Sequence, residues 1–119
     1  MENRIAITAF AALAQETRLT VFRLMVRVGP SGLTAGEIAE QLGVPASTLS
    51  FHLGTLERAR LLRSWRIQKN IYYATDFDGT RDLIDFLMTD CCGGKPELCG
   101  VAPLAADGRP AGCAPTGCN

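Results

Sequence analysis

All five cysteines of this 119-residue chain fall after residue 90: Cys91 and Cys92 are adjacent, Cys99 follows shortly, and Cys113 and Cys118 lie near the end. Thiolates favour soft ions. Three of them in the spacing CC-x6-C, with Gly93, Gly94 and Gly100 to let the chain turn back, can converge on a trivalent centre such as As(III) or Sb(III). Adjacent cysteines suit tetrahedral zinc less well, although Cys113-x4-Cys118 fits the usual spacing of structural zinc ligands. Zinc or cadmium binding, a thiol redox switch and cysteines without a role are therefore the other readings of the same residues. The odd count argues against complete disulfide pairing, and His52, the single histidine, cannot build an imidazole-rich zinc site. From Gly93 to Asn119 there are six glycines and four prolines, a composition that predicts a flexible tail without a core of its own.

A second constellation lies between Thr34 and Arg58. Leu49, Leu53 and Leu56 recur at helical spacing, while the opposite face carries Ser47, Thr48, Ser50, Phe51, Thr55 and Arg58. Serine and threonine hydroxyls hydrogen-bond base edges or phosphates, and an exposed phenyl ring can touch a thymine methyl group. Pro45 to Arg58 thus reads as a recognition helix, with Ser47, Thr48, Ser50 and Phe51 facing bases and Thr55 and Arg58 facing phosphates. An ordinary amphipathic helix pair is the plainer alternative. His52, on the leucine side, is either structural or a neighbour of phosphate.

The flanking sequence decides between them. Thr34 and Glu37 have the T-x-x-E spacing of a capping box, and Gly43 stands where a left-handed residue ends a helix, so a short helix precedes the polar one. Upstream, residues 1–15 and Glu16 to Val28 predict two helices. The second is expected to turn Leu19, Phe22 and Val26 to the core, with Val21 and Met25 beside them. Downstream the period changes to two: Leu62 to Gln68 and Ile71 to Thr75 form a β-hairpin, with Lys69-Asn70 at its turn and Asn70 tolerating the left-handed conformation. Lys69 and Arg63, or Arg66, are then placed beside the DNA backbone. A last helix, capped by Asp78 or Thr80, carries Leu83, Phe86 and Leu87. These residues, with Ile5, Ala9 and Leu13 of the first helix, are expected to meet a second copy of the chain.

The expected fold is mainly α with a β-hairpin wing, a winged helix-turn-helix that forms a homodimer through its first and last helices. Residues 1–90 make the DNA-binding and dimerisation domain, and residues 91–119 the sensing tail. Net charge is zero, with 12 basic and 12 acidic residues, which gives no overall signature of nucleic-acid binding. The distribution is more telling. Up to Thr75 nine cations face five acids, and five of those nine, Arg58, Arg60, Arg63, Arg66 and Lys69, directly follow the recognition helix. Arg4 and the apolar run Ile5 to Leu13 imitate a weak signal peptide, but the run continues into another helical pattern, and no segment has the roughly 20 apolar residues of a membrane span. A cytoplasmic protein is expected. The absence of a C-x-x-C motif and of a second histidine argues against an enzyme.

The segments ALAQETRLTVFRLM, TAGEIAEQLGVPASTLSFHLGTLERARLL and RSWRIQKNIYYA together resemble the ArsR/SmtB family of metalloregulatory repressors, over Phe10 to about Met88. The resemblance implies a homodimer that binds double-stranded operator DNA without its ion and leaves when the ion binds. It adds no organic cofactor and no membrane partner. Three departures matter. Arsenic-sensing members carry a cysteine pair on the first helix of the helix-turn-helix, where this chain has Glu37-Ile38-Ala39-Glu40. Zinc sensors place histidines on the last helix, where Asp82 and Asp85 have none beside them. The family usually has glycine where Arg60 stands. The expected metal ligands are therefore Cys91, Cys92 and Cys99, with As(III) or Sb(III) as the inducer, and the alternative is the same fold with a zinc, cadmium or redox-sensing tail.

Overall fold

The computed structural model describes residues 1–89. Five helices and a small sheet follow in the order α1 (Asn3–Leu13), α2 (Glu16–Val28), β1 (Leu33–Thr34), α3 (Ala35–Leu42), α4 (Ala46–Arg58), β2 (Leu62–Ile67), β3 (Asn70–Thr75) and α5 (Phe77–Met88). The chain divides into a compact unit of Met1–Arg81 and a second of Asp82–Asn119, and of the latter only residues 82–89 are described. This is the expected winged helix-turn-helix: β2 and β3 pair antiparallel as the wing, and β1 adds a third antiparallel strand on the far side of β3.

The helix-turn-helix ends where its sequence says it should. The Thr34 hydroxyl accepts from the Glu37 N–H at 3.2 Å while the Glu37 carboxylate accepts from the Thr34 N–H at 3.0 Å, completing the capping box. The Glu37 carboxylate also accepts from the Thr34 hydroxyl at 2.9 Å, and the bonds it receives, from the Thr34 backbone first and its side chain second, hold the Glu37 carboxyl below its ordinary pKa. Gly43 closes α3 at φ 65°. Leu49, Leu53 and Leu56 on α4 join Val21, Met25, Ile38, Leu61 and Leu62 in a fully buried core. Ala6, Ala9 and Ala12 recur every three residues on the buried side of α1, small enough to let it lie against α2 and α4.

Several expectations are corrected. The core face of α2 is Val21, Leu24 and Met25, whereas Leu19 and Val26 are 43% and 45% exposed. Both stripes have helical period, so the period alone could not choose between them. On α1, Ala9 is 2% exposed and cannot meet a second copy; the large exposed apolar residues there are Ile7 and Phe10. Leu83 of α5 is likewise buried, while Ile84 and Leu87 are exposed. The wing turns on Gln68-Lys69, because Ile67 pairs with Asn70, and it is Gln68 that takes the left-handed conformation at φ 56°. The cap of α5 is neither Asp78 nor Thr80 but Asp76, whose carboxylate accepts from the Gly79 N–H at 2.9 Å.

The turn after α4 carries strain. Arg60 N–H donates to Glu57 O and Leu61 N–H to Leu56 O, both at 3.0 Å, the bond pair of a Schellman motif, with Arg60 left-handed at φ 63°. Glycine occupies this position at least cost, and a left-handed arginine costs roughly 1–2 kcal/mol. Gly79 packs directly on this turn: a Cβ there would collide with the Arg60 carbonyl oxygen and come within 3.1 Å of the Arg60 Cβ.

Candidate nucleic-acid interface

Helix α4 presents two unlike faces. Ser47, Thr48, Ser50 and Phe51 are all exposed, Phe51 at 64%, while Leu49, His52, Leu53 and Leu56 are buried behind them. The helix starts after Pro45 with no side chain capping its first turn, so the leading N–H groups remain open to an anion. Thr55 is half-buried. Its hydroxyl donates to Phe51 O at 3.0 Å and accepts from Arg58 Nη2 at 3.4 Å, so the proton expected to reach a phosphate is used within the helix, and Thr55 supports Arg58 instead.

The wing is organised around its aromatics. Trp65 and Tyr72, opposite each other in the register, stack with ring centroids 5.8 Å apart, and the Arg63 guanidinium lies 4.7 Å above the Trp65 ring. Arg63 Nη2 also donates to Pro30 O at 3.4 Å, which ties the base of the wing to the end of α2. Gly32, at φ 73°, allows this approach, since a Cβ there would meet the Tyr73 carbonyl and lie 2.9 Å from the Trp65 ring. At the tip Arg66 Nε donates to Gln68 O at 2.8 Å, and Lys69 is exposed beside it. Glu57 on α4 accepts from the Ser64 hydroxyl, joining helix to wing. Burial, with the Glu57 charge adding to it, raises the Tyr73 phenol above its ordinary pKa.

Sequence reasoning missed the link behind the recognition helix. Arg18 on α2 donates from Nε to Ala12 O at 2.7 Å, and its Nη1 lies 3.2 Å from His52 Nδ1. Because arginine only donates, Nδ1 accepts and the ring proton sits on Nε2. Burial first, and the Arg18 charge second, lower the His52 pKa below its ordinary value, so the imidazole is neutral. The last turn of α1 is thereby wired through α2 to the middle of α4. No sequence signal joins residues 34 apart.

Among the described residues no group of three or more His, Cys, Asp or Glu side chains could hold a metal ion. The expected ligands Cys91, Cys92 and Cys99, like Cys113 and Cys118, lie outside the described residues. Among those residues, no single helix is long and apolar enough to cross a membrane.

A short helix, a leucine-backed helix with an exposed hydroxyl and aromatic face, and a hairpin with a basic tip define a DNA-binding domain of the winged helix-turn-helix class. Comparison with known proteins agrees. Residues 13–64 match the helix-turn-helix domain family. The chain is 30% identical to the helix-turn-helix transcriptional regulator YbzH of Bacillus subtilis over 71% of its own length and 96% of that protein. It is 32% identical to the regulator KmtR of Mycobacterium tuberculosis over 67% of its length, and spans 59% of KmtR. Among solved structures, the AntR antimony-specific transcriptional repressor is 31% identical, with a TM-score of 0.54 over 70% of this chain and 74% of that one. The chain belongs to the helix-turn-helix transcriptional regulators, and its fold is that of an ArsR-like regulator from Rhodococcus, which it matches with a TM-score of 0.66 at 22% identity over 81% of this chain and 88% of that one.

Proposed function

We propose that the protein is a metalloid-responsive transcriptional repressor of the cytoplasm, with residues 1–90 reading DNA and residues 91–119 sensing. A homodimer sets two copies of α4 in successive major grooves about 34 Å apart. Ser47, Thr48, Ser50 and Phe51 contact bases, and Arg58 and Lys69 contact phosphates, with Arg63 at the base of the wing. The observation that carries this reading is the exposed polar face of α4 beside the basic wing, on a scaffold whose relatives include an antimony-specific repressor. Ile7 and Phe10 on α1 and, separately, Ile84 and Leu87 on α5 supply exposed apolar surface for a second copy through the first and last helices.

The inducer, As(III) or Sb(III), binds the thiolates of Cys91, Cys92 and Cys99. That placement rests on the clustering of every cysteine after residue 90 and on the lack of a cysteine pair on α3, where Glu37 and Glu40 stand. Since the cysteines follow α5 directly, their closure on an ion acts on the helix proposed to hold the dimer. A coupling of about 3 kcal/mol would weaken operator binding roughly 150-fold.

Fluorescence anisotropy of promoter DNA, with arsenite, antimonite, zinc, cadmium and peroxide compared, tests this on wild type and on Cys91→Ser, Cys92→Ser and Cys99→Ser. Arsenite or antimonite should release DNA from wild type alone. Equal release from all four proteins would remove the three-thiolate site, and release by zinc alone would favour the alternative in which Cys113 and Cys118 bind metal.

A further inference from the structure

Arg18 on α2 spends its charge on neutral partners. It is half-buried, its backbone N–H donates to the Gln15 side chain at 2.8 Å, and its guanidinium bonds one carbonyl, Ala12 O, and one uncharged ring, His52 Nδ1. Among the described residues no carboxylate pairs with it. A guanidinium drawn partly out of water without a counter-charge costs free energy. What it gains is geometric, since one rigid planar fork fixes both the last turn of α1 and the middle of α4.

The ring held in this way bears on the DNA-reading face. His52 is 8% exposed, and its imidazole meets the exposed Phe51 ring edge-on, with centroids 5.6 Å apart and an interplanar angle of 66°. Among the described residues no other ring touches Phe51. A phenylalanine side chain has two soft torsions, and a fixed imidazole against one side of it removes part of that freedom before any base arrives.

We infer that Arg18 and His52 are positioning residues for sequence recognition: their bond holds the imidazole that sets Phe51 against a base, and a proton on Nδ1 abolishes the setting. This deepens the base-reading role proposed above for Phe51 and rests on it. Nδ1 accepts from Arg18 only while it is unprotonated. A proton taken from solvent turns that acceptor into a donor and places two cations side by side. Of the charged side chains on α4, and on α1, α2, α3 and β2 packed against it, only Arg18 acts on the ring, so among the described residues no carboxylate is there to stabilise an imidazolium. His52 is also the single histidine, and histidine is the side chain whose ordinary titration falls between about pH 5 and 8.

The test compares two labelled duplexes by fluorescence anisotropy: one selected by the full-length wild type from a randomised pool at neutral pH, and one of fixed mixed sequence. Wild type, Arg18→Gln, Phe51→Ala and the double variant are titrated, with the His52 ring resonances followed in parallel by NMR. Arg18→Gln should lower the preference for the selected duplex about fivefold, the loss of one base contact, and should lower it no further once Phe51 is alanine. In wild type the preference should fall by a similar factor as the ring passes from neutral to protonated, and in Phe51→Ala it should not respond to that proton. Equal weakening on both duplexes, a loss of the same size in the Phe51→Ala background, or a preference that stays constant while the ring protonates makes the link a plain support of the fold and overturns the positioning role. Should Arg18→Gln fail to fold by circular dichroism, the pH series on wild type decides; if the ring stays neutral down to about pH 5, the mutant cycle decides. Full preference in Phe51→Ala removes the base contact and leaves the link nothing to position. If wild type selects no duplex at all, the DNA-binding function itself falls, and this inference with it.

Discussion

Replacing Arg60 with glycine should make this protein more stable, although it removes a large side chain from its surface. The left-handed backbone at φ 63° costs arginine roughly 1–2 kcal/mol. Glycine escapes that cost but gives back about 0.5–1 kcal/mol through the greater freedom of the unfolded chain. The difference, about 0.5–1 kcal/mol, corresponds to a rise on the order of 4 °C in Tm for a domain of this size. The Arg60 side chain has interactions of its own, so Arg60→Ala is the necessary reference: alanine removes the side chain and keeps the strain. Both variants are melted by circular dichroism at one protein concentration, because a dimer makes Tm depend on concentration. Glycine should exceed alanine by about 1 kcal/mol. If alanine equals or exceeds glycine, the turn after α4 is not strained as argued. Gly79→Ala approaches the same contact from the other side. Its Cβ would push into the Arg60 carbonyl, and overpacking of about 1–3 kcal/mol outweighs the roughly 1 kcal/mol gained in helix propensity. The two changes touch, so the double variant Arg60→Gly/Gly79→Ala should depart from additivity.

Three further outcomes are expected. His52 is held neutral in the folded protein with its pKa below 6.5, so as pH falls beneath about 6.5 the unfolded chain takes up a proton that the native state refuses. Stability should drop through that window by up to about 1.4 kcal/mol per pH unit until the native pKa is reached, and chemical denaturation of His52→Asn, which keeps an acceptor for Arg18, should lack the drop. Thr75 is fully buried, and its hydroxyl has no hydrogen-bond partner among the described residues, so Thr75→Val should raise stability by about 1 kcal/mol in urea titrations. Phe51→Ala should leave stability within about 0.5 kcal/mol yet weaken binding to the cognate operator by about 1 kcal/mol, with binding to mixed-sequence DNA unchanged; an equal loss on both DNAs would show that Phe51 reads no base.

The parts of this fold that were legible in the sequence are those set by local chemistry. A capping box needs only residues three apart, and Thr34, Glu37 and Gly43 bound α3 where the structure bounds it. The leucines of α4 faced inward because the alternative face was too polar to be buried. Where two local signals competed, the reading slipped. Asn70 is the better left-handed residue, but pairing Ile67 with Asn70 keeps the strands in register and leaves Gln68 to take the turn. Both stripes of α2 were apolar, and only the packing against its neighbours chose Leu24 over Leu19 and Val26. Strand β1, two residues long, and the Arg18–His52 link depend on partners far along the chain, which no window of sequence contains. The resemblance marked position 60 as one for glycine, but that the backbone stays left-handed with arginine in place emerges only from the Schellman bonds around it.

Strand β1 is the smallest element in the protein, yet it pairs Leu33 with Tyr73 and Thr34 with Tyr72, and Thr34 is also the residue that caps α3. One residue thus belongs to the sheet and to the helix-turn-helix at once. The Ser64–Glu57 bond closes the circuit from the other strand of the wing. A wing fastened through both of its strands to the helices it flanks is held against moving independently of them, so wing and helix-turn-helix move as one rigid tool. In the homodimeric repressor proposed above, a signal that released DNA would change the distance or the angle between two such tools rather than bend either.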